Sequence, residues 1–141
     1  MTMKSVHLLL VEDDQVDLMA MQRGLREHRL ANPVTVAHDG VEALEILRGE
    51  NGRTPLDRPF VILLDLKMPR MDGLEFLATI RADEALRDSV VFVLTTSRHD
   101  EDITAAYKQN IAGYILKETI AQQFVTLVTL LDAYWRIVEL P

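Results

Sequence analysis

The feature that most constrains the fold is an apolar run of five residues that ends in a single acid. The run, Phe60–Leu64, shows no alternation of polar and apolar residues, and Asp65 follows it directly. Such a run is typical of a strand buried on both faces, as in a parallel sheet covered by helices. The next residues, Met68–Gly73, have the composition of a turn, and helical spacing resumes at Leu74. The pattern predicts a central strand with Asp65 at its carboxyl end, where open α/β sheets place their sites.

On its own, Asp65 could equally be an ordinary loop or capping carboxylate, but a second acidic group occupies an equivalent place. Glu12, Asp13 and Asp14 follow another apolar run, Val6–Val11. Adjacent carboxylates repel one another, so they need solvent, a capping role or a cation. If the two strands are parallel neighbours, Glu12, Asp13 and Asp65 share one acidic crevice. That crevice would suit a hard divalent cation, which we expect to be Mg²⁺ or Mn²⁺.

Apolar runs and helical spacing alternate along the whole chain. The predicted strands cover residues 6–11, 34–37, 60–65, 89–95 and 112–116. The predicted helices begin at about residue 14 and cover 41–47, 73–82, 101–109 and about 120–138. In the first helix we expect an inward apolar stripe, formed by Val16, Met19, Ala20, Leu25 and Leu30. The alternation indicates right-handed βαβ units and hence an α/β fold, a doubly wound parallel sheet of five strands with helices on both faces.

The composition is that of a single globular domain spanning residues 1–141. A hydrophobic content of 48% and a charged content of 26% are ordinary, and the length is sufficient for one core. A net charge of −7 without a basic cluster argues against direct binding of nucleic acid. The chain has no cysteine, no signal pattern and no apolar stretch of membrane-spanning length. We therefore expect a cytoplasmic protein that contacts neither nucleic acid nor membrane.

Four motifs resemble those of the receiver domain of two-component response regulators. They are LLVEDD (Leu9–Asp14), LLDLKMPRMDGLEFL (Leu63–Leu77), VLTTS (Val93–Ser97) and GYILK (Gly113–Lys117). Each motif is weak alone, but all four in this order and at these spacings are highly specific. The resemblance covers essentially the whole chain. It implies the flavodoxin-like strand order 2-1-3-4-5, with the site between the first and third strands.

The resemblance also implies a role for each polar residue of the crevice. Asp65 corresponds to the phosphoacceptor, which takes a phosphoryl group from a histidine kinase as an aspartyl phosphate. Asp13, Asp65 and the backbone carbonyl of Lys67 would hold the cation, and Glu12 would hold it through water. Lys117 would pair with the phosphoryl oxygens as a point charge.

Two further residues correspond to the switch of receiver domains. The hydroxyl of Thr95 would turn to a phosphoryl oxygen, and Tyr114 would then turn inward. One position departs from the family pattern, because Glu118 stands where receivers usually carry a proline after the lysine. We expect a trans peptide bond there, since a cis bond before a residue other than proline costs roughly 3 kcal/mol.

The last predicted helix has more apolar residues than packing on a sheet requires. One stripe would face the sheet, and it consists of Ile120, Phe124, Leu127, Val128, Leu131, Trp135 and Val138. A second set lies off that stripe, and it consists of Val125, Leu130, Tyr134 and Ile137. These residues could fold back on their own domain, but exposed apolar patches commonly mark an interface. We predict a homodimer through Leu130, Tyr134 and Ile137.

The sequence thus predicts a stand-alone phosphoacceptor that is not a turnover enzyme and that signals at the face formed by the fourth helix, the fifth strand and the last helix. The ending YWRIVELP is similar to that of small phytochrome-associated regulators, which implies a bacteriophytochrome as the kinase. A phosphatase of the haloacid dehalogenase type is the poorer reading, because it would need an acid where Lys67 stands. A degenerate receiver that only scaffolds a partner is a further alternative, and only Glu118 favours it.

Overall fold

Five strands alternate with five α-helices in the computed structural model, which describes residues 6–96 and 100–135. The strands are β1 (His7–Val11), β2 (Val34–Ala37), β3 (Phe60–Asp65), β4 (Val90–Thr95) and β5 (Gly113–Leu116). The helices are α1 (Gln15–Glu27), α2 (Gly40–Arg48), α3 (Gly73–Ala82), α4 (Asp100–Lys108) and α5 (Ile120–Trp135), and a 3₁₀ turn (Lys117–Thr119) precedes α5. All the predicted elements are present, with ends shifted by a residue or two. The predicted end of the last helix, with Ile137 and Val138, lies outside the described residues.

The strands form one parallel sheet in the order β2-β1-β3-β4-β5, as predicted. Val11, the last residue of β1, pairs with Leu64 of β3. Glu12, which follows β1, therefore lies beside Asp65, the last residue of β3. On the other side of β3, Asp65 pairs with Leu94 of β4. The register therefore brings the carboxyl ends of β1, β3 and β4 to one edge of the sheet.

The core has one apolar layer on each face of the sheet. On one face α2 and α3 cover β-strand side chains, and the layer includes Ile62, Leu64, Phe76, Leu77 and Ile80. On the other face α1 and α5 cover the alternate side chains, and the layer includes Leu8, Leu63, Met21, Phe124 and Val128. Every residue of β3 is buried, which confirms its prediction as the central strand. In the described ranges, none of the helices is long and apolar enough to cross a membrane.

The predicted inward stripe of α1 was wrong at its beginning. Val16 is 75% exposed and Met19 is 55% exposed, whereas Leu18 and Met21 are buried with Leu25. Both sets recur at helical spacing, so the sequence permits two rotations of the helix about its axis. Packing of α1 against α5 and the sheet selects the rotation that buries Leu18 and Met21.

The predictions for α5 hold for the described members of the sheet-facing stripe and for part of the second set. The side chains of Trp135 and Val138 lie outside the described residues. Ile120, Phe124, Val128 and Leu131 are buried, and Leu127 is half-buried. Val125, which we expected off the stripe, is also buried, because it lies in the groove between α5 and α1. Leu130 is 62% exposed and Tyr134 is 55% exposed, as the surplus of apolar residues predicted.

Candidate functional site

The acidic crevice forms where β1 and β3 end. Glu12 is fully buried, Asp65 is 6% exposed, and Asp13 is exposed at the rim. One carboxylate oxygen from each of these side chains lies within 4.8 Å of the others, a spacing that allows them to share a metal ion. The sheet register produces this arrangement, since Glu12 and Asp65 each follow a paired residue of adjacent strands.

Among the described residues, one buried oxygen of the crevice has no hydrogen-bond partner, and a bound cation would be a partner for it. Oε2 of Glu12 is buried without a hydrogen bond in the described part of the chain, whereas Oε1 accepts one from Lys117. Burying a carboxylate oxygen without a partner is costly. Because the three grouped ligand atoms are carboxylate oxygens, the residues fit a hard divalent cation such as Mg²⁺ or Mn²⁺.

Lys117 is the cationic centre of the site. Its Nζ lies 2.5 Å from Oε1 of Glu12, 3.2 Å from Oδ2 of Asp65 and 3.1 Å from Oδ2 of Asp17. Only 9% of the lysine side chain is exposed. The sequence led us to expect the lysine beside Asp65 but did not indicate Asp17. No local pattern could have pointed to it, because Asp17 and Lys117 lie far apart in the chain.

A second acidic group, formed by Glu12, Asp14 and Asp17, has a similarly close spacing. Two of its members already contact the Lys117 ammonium, so that a positive charge is present there. The group that includes Asp13 and Asp65 is therefore the better candidate for a metal ion.

Burial and charge shift the proton affinities of this cluster. Burial raises the pKa of Glu12 to about 8, and the nearby Asp65 charge adds to the rise, although the hydrogen bond from Lys117 opposes it. Burial would lower the pKa of Lys117, but its hydrogen bond to Glu12 and the charge of Asp65 raise it instead. One ammonium thus faces several carboxylates, and the excess negative charge favours uptake of a further cation.

A glycine allows the start of α3 to approach the end of β3. The Gly73 amide donates to the Leu66 carbonyl at 2.9 Å. A side chain at Gly73 would place its Cβ 2.6 Å from the carbonyl oxygen of Asp65 and from Cα of Leu66. In the same loop the Lys67 amide donates to Oδ1 of Asp65 at 3.2 Å, which holds that carboxylate. The metal-binding role of the Lys67 carbonyl stays a prediction.

An ion pair fastens the loop between β3 and α3 to the start of α2. The Arg70 guanidinium donates to both oxygens of Asp39, at 2.7 and 3.1 Å. Burial would raise the pKa of Asp39, but the bonds from Arg70 and from the Glu42 amide outweigh it and lower the pKa. Asp39 also caps α2 through that amide. Neither member of this pair was expected from the sequence, since the two residues are 31 positions apart.

The predicted switch residues lie on the neighbouring strands. Thr95 is buried at the end of β4, beside Leu116 of β5. Together with Lys117 and Glu118 it lines a cleft of about 420 Å³. Tyr114 is 42% exposed and makes an edge-to-face contact with Tyr107, with ring centroids 6.3 Å apart.

The 3₁₀ turn after β5 accommodates the substitution of the usual proline. In the two described ranges the cis peptide bond is Arg58–Pro59, so the bond between Lys117 and Glu118 is trans, as expected. Lys117 nevertheless reaches the crevice.

Comparison with known families decides what kind of domain this is. The response regulator receiver domain family matches residues 8–129 of the 141. The chain belongs to this family. This match confirms the resemblance to receiver domains that the four motifs indicated, and with it the assignment to two-component signalling.

Relatives of this receiver domain include phytochrome-associated regulators. Response regulator Rcp1 from Synechocystis sp. is 32% identical over 128 residues, which cover 91% of this chain and 87% of Rcp1. The structure of the phosphorylated cyanobacterial phytochrome response regulator RcpA has a TM-score of 0.82 and 34% identity, over 98% of this chain and 99% of RcpA. The Mn²⁺-bound form of response regulator Rcp1 has a TM-score of 0.78 and 29% identity, over 96% of this chain and 99% of that one.

The receiver fold gathers most of the predicted site residues at one edge of the sheet. The residues gathered there are Glu12, Asp13, Asp65, Thr95 and Lys117. Tyr114 lies at the surface, and Leu130 and Tyr134 lie on the exposed side of α5, away from the crevice. Their roles in phosphorylation, switching and assembly stay predictions.

Proposed function

We propose that this receiver domain is a cytoplasmic phosphoacceptor that takes a phosphoryl group on Asp65 from the phosphohistidine of a kinase. The observation that carries the proposal is the contact of a buried Asp65 carboxylate with the Lys117 ammonium, 3.2 Å away. Beside them lies Oε2 of Glu12, which has no hydrogen-bond partner among the described residues. A carboxylate can attack a phosphoryl group only where the negative charge of both partners is offset. Within the described residues, the crevice offers the Lys117 ammonium and carboxylate ligands for a divalent cation.

In the proposed transfer, an oxygen of Asp65 attacks phosphorus while the bond from phosphorus to the imidazole nitrogen breaks. The imidazole leaves with the electron pair of that bond, and the product is a mixed anhydride of Asp65 and phosphate. Lys117 pairs with one phosphoryl oxygen, and the Thr95 hydroxyl donates to another. A divalent cation held by Glu12, Asp13 and Asp65 would offset the charge of the transferring group when bound.

We propose that the kinase is of the phytochrome class. RcpA, which shares 34% of its residues with this chain, is a phytochrome response regulator, and that likeness supports the proposal. The signal would then leave through the surface of α4, β5 and α5. Thr95 lies at the crevice and Tyr114 lies at the surface of β5, positions that support this route. The phosphorylated domain would act by binding a partner, as a stand-alone regulator.

The test is the intact mass of the protein after incubation with acetyl phosphate, with Mg²⁺ and with a chelator. We expect the wild type to gain one phosphoryl group only with Mg²⁺, and Asp65→Asn to gain none. Asp72→Asn is the matched control, because Asp72 lies in the same loop, and asparagine can replace it as the cap of α3. Equal incorporation into Asp65→Asn would reject Asp65 as the acceptor. A wild type that takes up no phosphoryl group from acetyl phosphate or a kinase would instead be a binding module.

We also propose that the domain forms a homodimer through α5. Leu130 and Tyr134 are both more than half exposed, and apolar side chains of this size seldom stay in water in groups. Ile137, the third predicted interface residue, lies outside the described residues. Light scattering should give a dimer mass for the wild type and a monomer mass for the double variant Leu130→Ser, Tyr134→Ser. A monomeric wild type, with and without phosphodonor, would refute this assembly.

A further inference from the structure

Asp17 contacts the catalytic lysine, but the proposed transfer gives it no role. Its Oδ2 lies 3.1 Å from Nζ of Lys117, and 19% of its side chain is exposed. Its backbone amide donates to Oδ1 of Asp14, the residue that caps α1, at 3.3 Å. Because Asp17 belongs to the capped first turn of a helix packed on the sheet, its carboxylate approaches Lys117 from a fixed backbone.

The Lys117 ammonium has as many donors as it has anionic neighbours. It carries three N–H groups, and carboxylate oxygens of Glu12, Asp17 and Asp65 lie 2.5, 3.1 and 3.2 Å from its nitrogen. When Glu12 and Asp17 accept two of the donors, the third is directed at Asp65. That is the side from which the phosphoryl oxygens would contact the lysine.

A divalent cation would alter this balance. Glu12 and Asp65 belong, with Asp13, to the group of carboxylates that fits a metal ion. A cation there would draw on their oxygens and would repel the nearby ammonium. Asp17 is not a member of that group, so it remains available to Lys117. A lysine without such a partner has a flexible four-carbon stem that can swing into solvent.

We propose that Asp17 is a positioning residue, which keeps the Lys117 ammonium beside Asp65 while a divalent cation occupies the neighbouring carboxylates. This inference rests on the proposed function of Asp65. Asp17 acts through Lys117 and not by contact with the phosphoryl group.

The first experiment separates positioning from a general effect of charge. Asp17→Asn and Asp14→Asn each remove one negative charge from the same end of α1, and asparagine can replace Asp14 as the cap. The rate of phosphoryl uptake from acetyl phosphate is measured by intact mass over a range of Mg²⁺ concentrations. At saturating Mg²⁺ we expect Asp17→Asn to be slower by about 3- to 10-fold, as for loss of a partly buried charged hydrogen bond. Asp14→Asn should stay within about twofold of the wild type, because exposed charges are screened by salt.

The second experiment does not depend on activity. In protein loaded with Mg²⁺ but without phosphodonor, the ¹H–¹⁵N signal of the Lys117 ammonium should be resolved in the wild type and in Asp14→Asn. It should be lost by exchange with water in Asp17→Asn. Circular dichroism checks that each variant is folded.

Three results would overturn the inference. The two variants could have equal rates at saturating Mg²⁺, Asp17→Asn could change only the Mg²⁺ concentration for half-maximal rate, or the Lys117 signal could persist in Asp17→Asn. In each case uptake by the wild type would still support the proposed function. A wild type without uptake from any phosphodonor would remove the proposed function, and this inference with it.

Discussion

The Lys117 ammonium offsets the charge of a group of carboxylates, and replacing it with methionine should show how much this contributes to the free energy of unfolding. Methionine keeps an unbranched stem of similar length but removes the ammonium. Glu12 and Asp65, which are 0% and 6% exposed, would then face each other without a counter-charge. Removal of one partner from a buried ion pair costs about 3–5 kcal/mol. We expect a loss of about 3 kcal/mol in the metal-free protein, at the low end of that range. Glu12 can take up a proton, since its pKa is already raised, and Asp17 is partly solvated.

Magnesium should reverse part of this loss of stability. Without the competing ammonium, the crevice of Lys117→Met should bind Mg²⁺ more tightly than that of the wild type. In excess Mg²⁺ the folded state of each protein gains RT ln(1 + [Mg²⁺]/Kd), so a tenfold lower Kd for the variant narrows the difference by about 1.4 kcal/mol. The difference in stability between wild type and variant should therefore narrow when chelator is replaced by excess Mg²⁺.

The assay is urea denaturation followed by far-UV circular dichroism, in chelator and in excess Mg²⁺. Lys67→Met is the matched control, because Lys67 is an exposed lysine two residues after Asp65. The free energy of unfolding of Lys67→Met should stay within about 0.5 kcal/mol of the wild-type value. A loss below about 1 kcal/mol for Lys117→Met in chelator, as for an exposed ion pair, would refute the reasoning. So would a difference that does not narrow with Mg²⁺.

Three further predictions test the surroundings of the site. Gly73→Ala should destabilise the protein by about 2 kcal/mol in thermal unfolding, because its Cβ would lie 2.6 Å from backbone atoms. Gly113→Ala is the control and should show no such loss, because its Cβ would meet only ordinary contacts at 3.7 Å. Asp39→Asn keeps a capping side chain but loses the carboxylate whose pKa is lowered. A lowered pKa stabilises the fold at pH values above the ordinary 3.8, and this stability is lost as the pH falls through the lowered pKa. Urea titrations should therefore show a wild type that is more stable than the variant at neutral pH and equally stable in strong acid. Met21→Ala should lower the free energy of unfolding by about 2–5 kcal/mol, because Met21 is buried. Val16→Ser should change it by no more than about 0.5 kcal/mol, because Val16 is exposed. Equal losses in urea denaturation would contradict the observed rotation of α1.

Local pattern was sufficient for the sheet and for much of the crevice. An unbroken apolar run can be buried on both faces only in a covered sheet, and so Phe60–Leu64 indicated the central strand from composition alone. The acids that follow the apolar runs of β1 and β3 could be predicted to lie together once those strands are treated as parallel neighbours, which end at the same edge. Lys117 is assigned by resemblance, because it follows GYIL as the lysine of receiver domains does. The strand order itself came from resemblance to receiver domains and not from periodicity.

Contacts between distant segments were decided by tertiary structure. The sequence of α1 offers two apolar stripes at the same spacing, and only the packing of α5 and the sheet against the helix determines that Met21 is buried and Val16 exposed. The pairs Arg70–Asp39 and Lys117–Asp17 join segments far apart in the chain, and charged side chains have no periodicity that reveals a partner. The sequence by itself determined which residues end the strands. Only the folded chain determined which charges meet around them, because that depends on how the helices are rotated and placed over the sheet.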